Sequence, residues 1–202
     1  MSAAAPAALP IAFFARAPAR VARGLLGCVV VHRRRAAMIV EAEAYGDADD
    51  AASHARFGPR GRSAIMFGRP GVAYVYLCYG VHEMFNVVTG RPGQAGAVLI
   101  RAVAPVPAPA GDDADDPRRG RGPGKVTQVL GIDRRQLGAV VAGPDAGSLR
   151  LVRHRRPPAA AIAVGPRVGV GYAGAWAAAP LRFWWRDHPA VSAPRGPGAE
   201  AR

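Results

Sequence analysis

Lysine is almost missing from this 202-residue chain: Lys125 is the only one, so the excess of 27 Lys and Arg over 14 Asp and Glu is carried by arginine. Cysteine is nearly as scarce. Cys28 and Cys78 each sit in an apolar run (LLGCVVV and YVYLCYG) that reads as a buried strand. Both are expected to be small core residues, not a disulfide or a ligand pair. No apolar stretch approaches the roughly 20 residues of a membrane span. The N-terminus, MSAAAPAALPIAFF, lacks the positive flank that precedes the apolar stretch of a secretory signal. A soluble, cytoplasmic protein without a membrane partner is expected. Histidine is sparse and scattered, at His32, His54, His82, His154 and His188, with no matching cysteine or carboxylate spacing. His82 and Glu83 begin like a zinc-protease helix, but Asn86 stands where the second histidine belongs. No metal and no cofactor are expected.

What is present is positive charge: a formal net charge of +13 and a sequence pI of about 11.3. An acidic polymer is the natural partner. Arginine-for-lysine bias could reflect codon usage, but that bias would not lower the number of acids. With half of its residues hydrophobic, a chain of this length buries one substantial core, so one domain is expected.

The Ala-, Pro- and Gly-rich ends, residues 1–10 and 189–202, read as disordered tails without chemistry, leaving a domain over 11–188. Proline, glycine and charge blocks mark 105–122 as a variable surface loop. Strands are expected at 24–31 and 37–45 around a basic turn, and at 72–79, 81–89, 96–104, 167–170 and 181–185. Capping acids suggest a short helix over 47–56, and Pro123 and Gly124 precede another over 125–132. The sum is an α+β single domain with an antiparallel-rich curved sheet, flanking helices and a protruding β-hairpin around Gly80.

Two nucleotide-binding patterns fail on inspection. Gly169, Gly171 and Gly174 have dinucleotide-fold spacing, but the chain that follows is too short for a βαβ unit. GPGK at 122–125 resembles a phosphate loop, yet Arg119 stands where the first glycine is required and Val126 where a hydroxyl is required.

The strand over 38–45 offers more chemistry. A period of two puts Glu41, Glu43 and Tyr45 on one face and Met38, Val40, Ala42 and Ala44 on the other. Carboxylates in a surface meant for phosphates oppose binding, whereas a carboxylate in such a groove suits a general base that activates water. Downstream lie Tyr74, Tyr76, Tyr79 and Phe85 around a tight turn. Tyr79, beside Gly80 at the tip, is well placed to wedge into a duplex and fill the space of an extruded base. The commoner fate of strand tyrosines is packing, and Tyr74 is read that way.

VARGLLGCVV, IVEAEAYGDADDAASHAR, MFGRPGVAYVYLCYGVHEMFNVV, AVLIRAVAP, GPGKVTQVLGID and RVGVGYAGAWAAAPLRFWW follow one another along nearly the whole chain. In these blocks the sequence resembles the alkyladenine (3-methyladenine) DNA glycosylases of the mammalian and bacterial alkylpurine type. The resemblance implies a monofunctional enzyme that flips alkylated or deaminated purines out of duplex DNA and hydrolyses the N-glycosidic bond in base excision repair. It implies no cofactor and no obligate protein partner, and a place beside the nucleoid. Glu43 matches the general base and Arg101 the arginine that helps hold the water. Tyr45, His54 and Tyr76 match the residues around the flipped base, Asn86 the side chain that disfavours guanine's exocyclic amine, and Tyr79 the wedge. Val168 and Gly169 match a stretch close to the pocket. Val81 and His82 replace a bulky pair of the mammalian pattern, which changes groove contacts. The alternatives are a non-catalytic damage-recognition or nucleic-acid-binding protein, for which an acid in a basic groove has no use, and a hydrolase of free nucleosides, which needs no wedge.

Overall fold

A computed structural model describes residues 6–106 and 116–192. Eight strands form one antiparallel sheet: β1 (Val29–His32), β2 (Arg35–Tyr45), β3 (Ala73–Cys78), β4 (His82–Val88), β5 (Ala97–Pro105), β6 (Leu149–Val152), β7 (Ile162–Gly165) and β8 (Arg182–Trp185). The path runs β3-β4-β5-β2-β1-β6, with β8 pairing both β2 and β7. Among the described residues three α-helices accompany it, α1 (Ile11–Phe14), α2 (Pro18–Leu25) and α3 (Pro123–Leu130), with short 3-10 turns between elements. This is an α+β single domain, with β2 at its centre.

Helix α2 starts with proline at its first position, where no amide partner is needed. It buries Val21, Ala22 and Leu25, one stripe of a 3.6-residue period, against β2 and β5. Helix α3 buries Val126 and Leu130 the same way and ends at left-handed Gly131 (φ 64°). Phe14, Leu25, Ile39, Phe85, Ile100 and Leu130 belong to the main core between helices and sheet.

β2 is not regular. Ile39 lies opposite Val103, Glu41 opposite Ala102 and Ala42 opposite Ile100, so Val40 on β2 and Arg101 on β5 have no cross-strand partner. The bulge changes the expected faces. Ala37 and Ile39 join Ala42 and Ala44 in the main core, while Met38 and Val40 pack in a separate cluster with Trp184, Ala190 and Val191. Bulges re-aim side chains near working sites, and here the unpaired residue of β5 is Arg101.

Several local expectations are corrected. Residues 24–28 are the end of α2 and a turn, since Gly27 has φ 80° and a Cβ there would meet the Arg155 carbonyl oxygen at 1.7 Å. The segment after Tyr45 is not an α-helix. Asp50 accepts hydrogen bonds from the Gly46 and Ala52 amides, which holds the backbone in turns, and a 3-10 helix follows at His54–Phe57. Residues 167–170 form a turn and not a strand, with Gly169 at φ 77°. Packed residues also extend beyond the expected limits of 11 and 188 at both ends. Leu9 is buried and its amide donates to Leu151, while Ala190, Val191 and Ser192 are buried against the sheet. Residues 1–5, 193–202 and the 107–115 half of the variable loop lie outside the described residues.

Candidate active site

Where the β3–β4 hairpin, the turns after β2 and the 168–170 turn meet, a pocket of about 540 Å³ opens to solvent. Tyr45, His54, Tyr76, Tyr79, Asn86, Arg101, Val168 and Gly169 all line it. Glu43 does not; it is fully buried one side chain behind the wall. The wall-forming Tyr45 hydroxyl donates to Glu43 Oε2 at 2.9 Å and the Val168 amide donates to Oε1 at 2.8 Å. Arg101 Nε lies 3.5 Å from Oε1. Eight of the nine residues singled out in the sequence therefore meet in one pocket, and the ninth is bonded to its wall.

Burial raises the Glu43 carboxyl above the ordinary carboxylate range, although Arg101, the Val168 amide and the Tyr45 hydroxyl pull it down; Glu41 adds to the rise. Tyr45, buried beside an anion, is pushed well above its usual value and so keeps its proton for Glu43. His54 is lowered to about 4 by burial and by Arg62 and Arg56. Arg62 Nη2 sits 3.4 Å from His54 Nε2. Guanidinium can only donate, so the His54 proton is on Nδ1 and is donated to the Tyr74 hydroxyl at 2.9 Å. A neutral ring thus stands against Tyr76, with centroids 4.8 Å apart. Asn86 Nδ2 donates to the Tyr74 and Met84 carbonyls, at 3.1 and 3.3 Å. Both amide hydrogens are committed, so this side chain cannot swing aside.

Tyr79 and Gly80 both have positive φ (49° and 70°), and the Val81 amide donates to the Cys78 carbonyl. These are the marks of a type I′ turn, which suits glycine and strains a bulky residue. Tyr79 is nevertheless 93% exposed. No packing among the described residues explains an aromatic there.

Two arrangements had no signal in the sequence. Asp50 and Arg167 form a fully buried two-pronged pair, at 2.6 and 2.8 Å, and Arg167 also lies 4.7 Å over the Tyr45 ring. Glu41, also fully buried, accepts from Arg182 at 2.6 Å and from both the amide and the hydroxyl of Ser192. Glu41 was visible beside Glu43 in the strand; Arg167, Arg182 and Ser192 are far away along the chain and could be assigned only once folded.

A buried, poised carboxylate behind an aromatic pocket open to solvent is the equipment of a hydrolase that accepts a flat ring. The chain belongs to the methylpurine-DNA glycosylase family, whose model matches residues 12–189. These are DNA-repair hydrolases. Among similar proteins, one from Anaeromyxobacter dehalogenans (strain 2CP-1) is 51% identical, covering 96% of this chain and 89% of its own. One from Myxococcus xanthus is 45% identical (94% and 96%), and one from Methanocella arvoryzae 40% identical (94% and 98%). Each is provisionally named a 3-methyladenine DNA glycosylase. Among the described residues no helix is long and apolar enough to cross a membrane.

Proposed function

We propose that this protein removes alkylated or deaminated purines, 3-methyladenine among them, from duplex DNA by hydrolysing the N-glycosidic bond of a flipped nucleotide. The observation that carries the reading is Glu43: an acid held without solvent exposure, raised by burial, and bonded to three groups of the pocket wall. Flipping costs a few kcal/mol, least where pairing is already weak. Tyr79, exposed on its strained turn, enters the duplex and fills the vacated space.

The extruded base lies among Tyr45, His54 and Tyr76. A cationic alkylpurine gains from the aromatic faces, and the neutral state of His54 removes a charge that would repel it. The clamped Asn86 amide occupies the space that guanine's exocyclic amine needs. As the glycosidic bond lengthens, its electron pair goes to the purine: a cationic alkylpurine leaves neutral, and a neutral deaminated purine leaves as an anion that takes up a proton from solvent. Water attacks the sugar C1′, its proton passes to Glu43, and an abasic site remains. Arg101 helps hold that water. Lys125, the only lysine, is exposed and outside the pocket, which supports a monofunctional enzyme that leaves the strand uncut.

Single-turnover base release from duplexes carrying hypoxanthine or a 3-methyladenine analogue tests this, with wild type and Glu43→Gln at matched salt. General base assistance is worth about 10²- to 10⁴-fold, and the variant should lose that factor while still binding the lesion. Binding without release by wild type would favour a damage-recognition protein. Equal release by the variant would remove Glu43 from the chemistry.

A further inference from the structure

Ser192 comes from the segment after β8, whose composition suggests only a tail. Ala190 and Val191 anchor that segment in the apolar cluster with Val40, Ala102 and Trp184, and Arg121 donates to the Pro189 carbonyl. Thus held, Ser192 is 4% exposed and uses every polar group it has. Its amide donates to Glu41 Oε2 at 2.7 Å and its hydroxyl to Glu41 Oε1 at 3.0 Å. The hydroxyl oxygen accepts from Arg101 Nε at 3.1 Å, and the carbonyl accepts from Arg182 Nη2 at 3.1 Å. One residue therefore ties together both arginines and the carboxylate between them.

Two carboxylates compete for Arg101, since its Nε lies 3.2 Å from Glu41 and 3.5 Å from Glu43. Left alone, Glu41 would draw the guanidinium away from the pocket, because a buried carboxylate needs full compensation. Arg182 and Ser192 satisfy Glu41 from the other side. Among the described residues the Arg101 side-chain hydrogen bond and both of its closest carboxylate approaches are made by Nε, and Arg101 lines the pocket. Its two Nη atoms remain available to a ligand.

We infer that Ser192 is a positioning residue for base release: by saturating Glu41 and accepting from Arg101 Nε, it fixes the Arg101 guanidinium beside Glu43 with its Nη atoms toward the pocket. The inference rests on the proposed hydrolytic reading. It makes the segment following β8 part of the working site, although none of its described residues lines the pocket. The Ser192 hydroxyl acts as a relay, donating to one carboxylate while accepting from the arginine that serves the other.

The test measures single-turnover release, lesion-duplex Kd and Tm for wild type, Ser192→Ala, Arg101→Ala, the double variant and Glu43→Gln. Losing a hydrogen bond to charged partners should slow release about tenfold in Ser192→Ala, with Kd unchanged. In the Arg101→Ala background the same substitution should have no further effect, because its route to the chemistry is already gone. Unchanged release in Ser192→Ala overturns the inference. So does a slowing that only follows weaker DNA binding, or one that is equally large with and without Arg101. Release by Glu43→Gln as fast as by wild type would instead remove the hydrolytic reading itself, independently of Ser192.

Discussion

Two buried carboxylates flank Tyr45, and the fold treats them in opposite ways. Asp50 meets a two-pronged guanidinium and two backbone amides. Burial pushes its carboxyl up, but these bonds outweigh burial and hold it below the ordinary value of 3.8. Glu43 receives one amide, one hydroxyl and an arginine at 3.5 Å, and for it burial wins. Asp50 is a structural anion, held ionised by its partners. Glu43 is left raised by its burial, the setting the proposed general base needs. Pairs of acids pushed apart in this way mark a division between scaffold and chemistry.

The two should also respond oppositely to pH. Asp50's lowered folded value means its stabilisation is present above the unfolded value and lost as pH falls through the folded one. Glu43's raised value means stability is full below its unfolded value and declines as pH rises through the folded one. Ionising Glu43 therefore works against folding, as the proposed reaction would require.

The sharpest way to break the comparison is Asp50→Ala. Removing one partner of a buried ion pair costs about 3–5 kcal/mol, which for a chain of this size is roughly 10 °C in Tm; thermal unfolding checks it. A negligible change would deny Asp50 its scaffold role. Next is Tyr45→Phe, which deletes a donor that lowers the Glu43 pKa. The acid limb of base release should move to higher pH, and release near neutrality should fall by roughly tenfold or less, the worth of one hydrogen bond. The smallest expected effect concerns the exposed rim. Tyr79→Gly should raise stability by about 1 kcal/mol, since glycine accepts positive φ that tyrosine resists, while base release from duplex DNA declines. A rise in Tm with release unchanged would mean the strained tyrosine has no part in flipping.

Legibility in the sequence followed the range of the interactions. The β3–β4 hairpin and its tip were readable because strand alternation and a glycine turn are local. Glu43 and Tyr45 shared a face by simple period. The bulge that aims Arg101 was not readable, because a bulge is a property of two paired strands; Val40 and Arg101 look regular in isolation. Asp50 and Arg167 gave no local sign of their pairing, and the acids before His54 looked like helix caps until their side chains were seen bonding turn amides. Ser192 was hidden by composition, since Ala- and Pro-rich surroundings describe an average and not the one hydroxyl that reaches Glu41.

The central claim, that Glu43 is a poised base, is tested most directly by the pH dependence of single-turnover base release in wild type and Glu43→Gln. Wild type should show an acid limb with a midpoint above the ordinary glutamate value of 4.5, and the variant's residual release should lack that limb. The same limb in both proteins would assign the titration to another group and contradict the account.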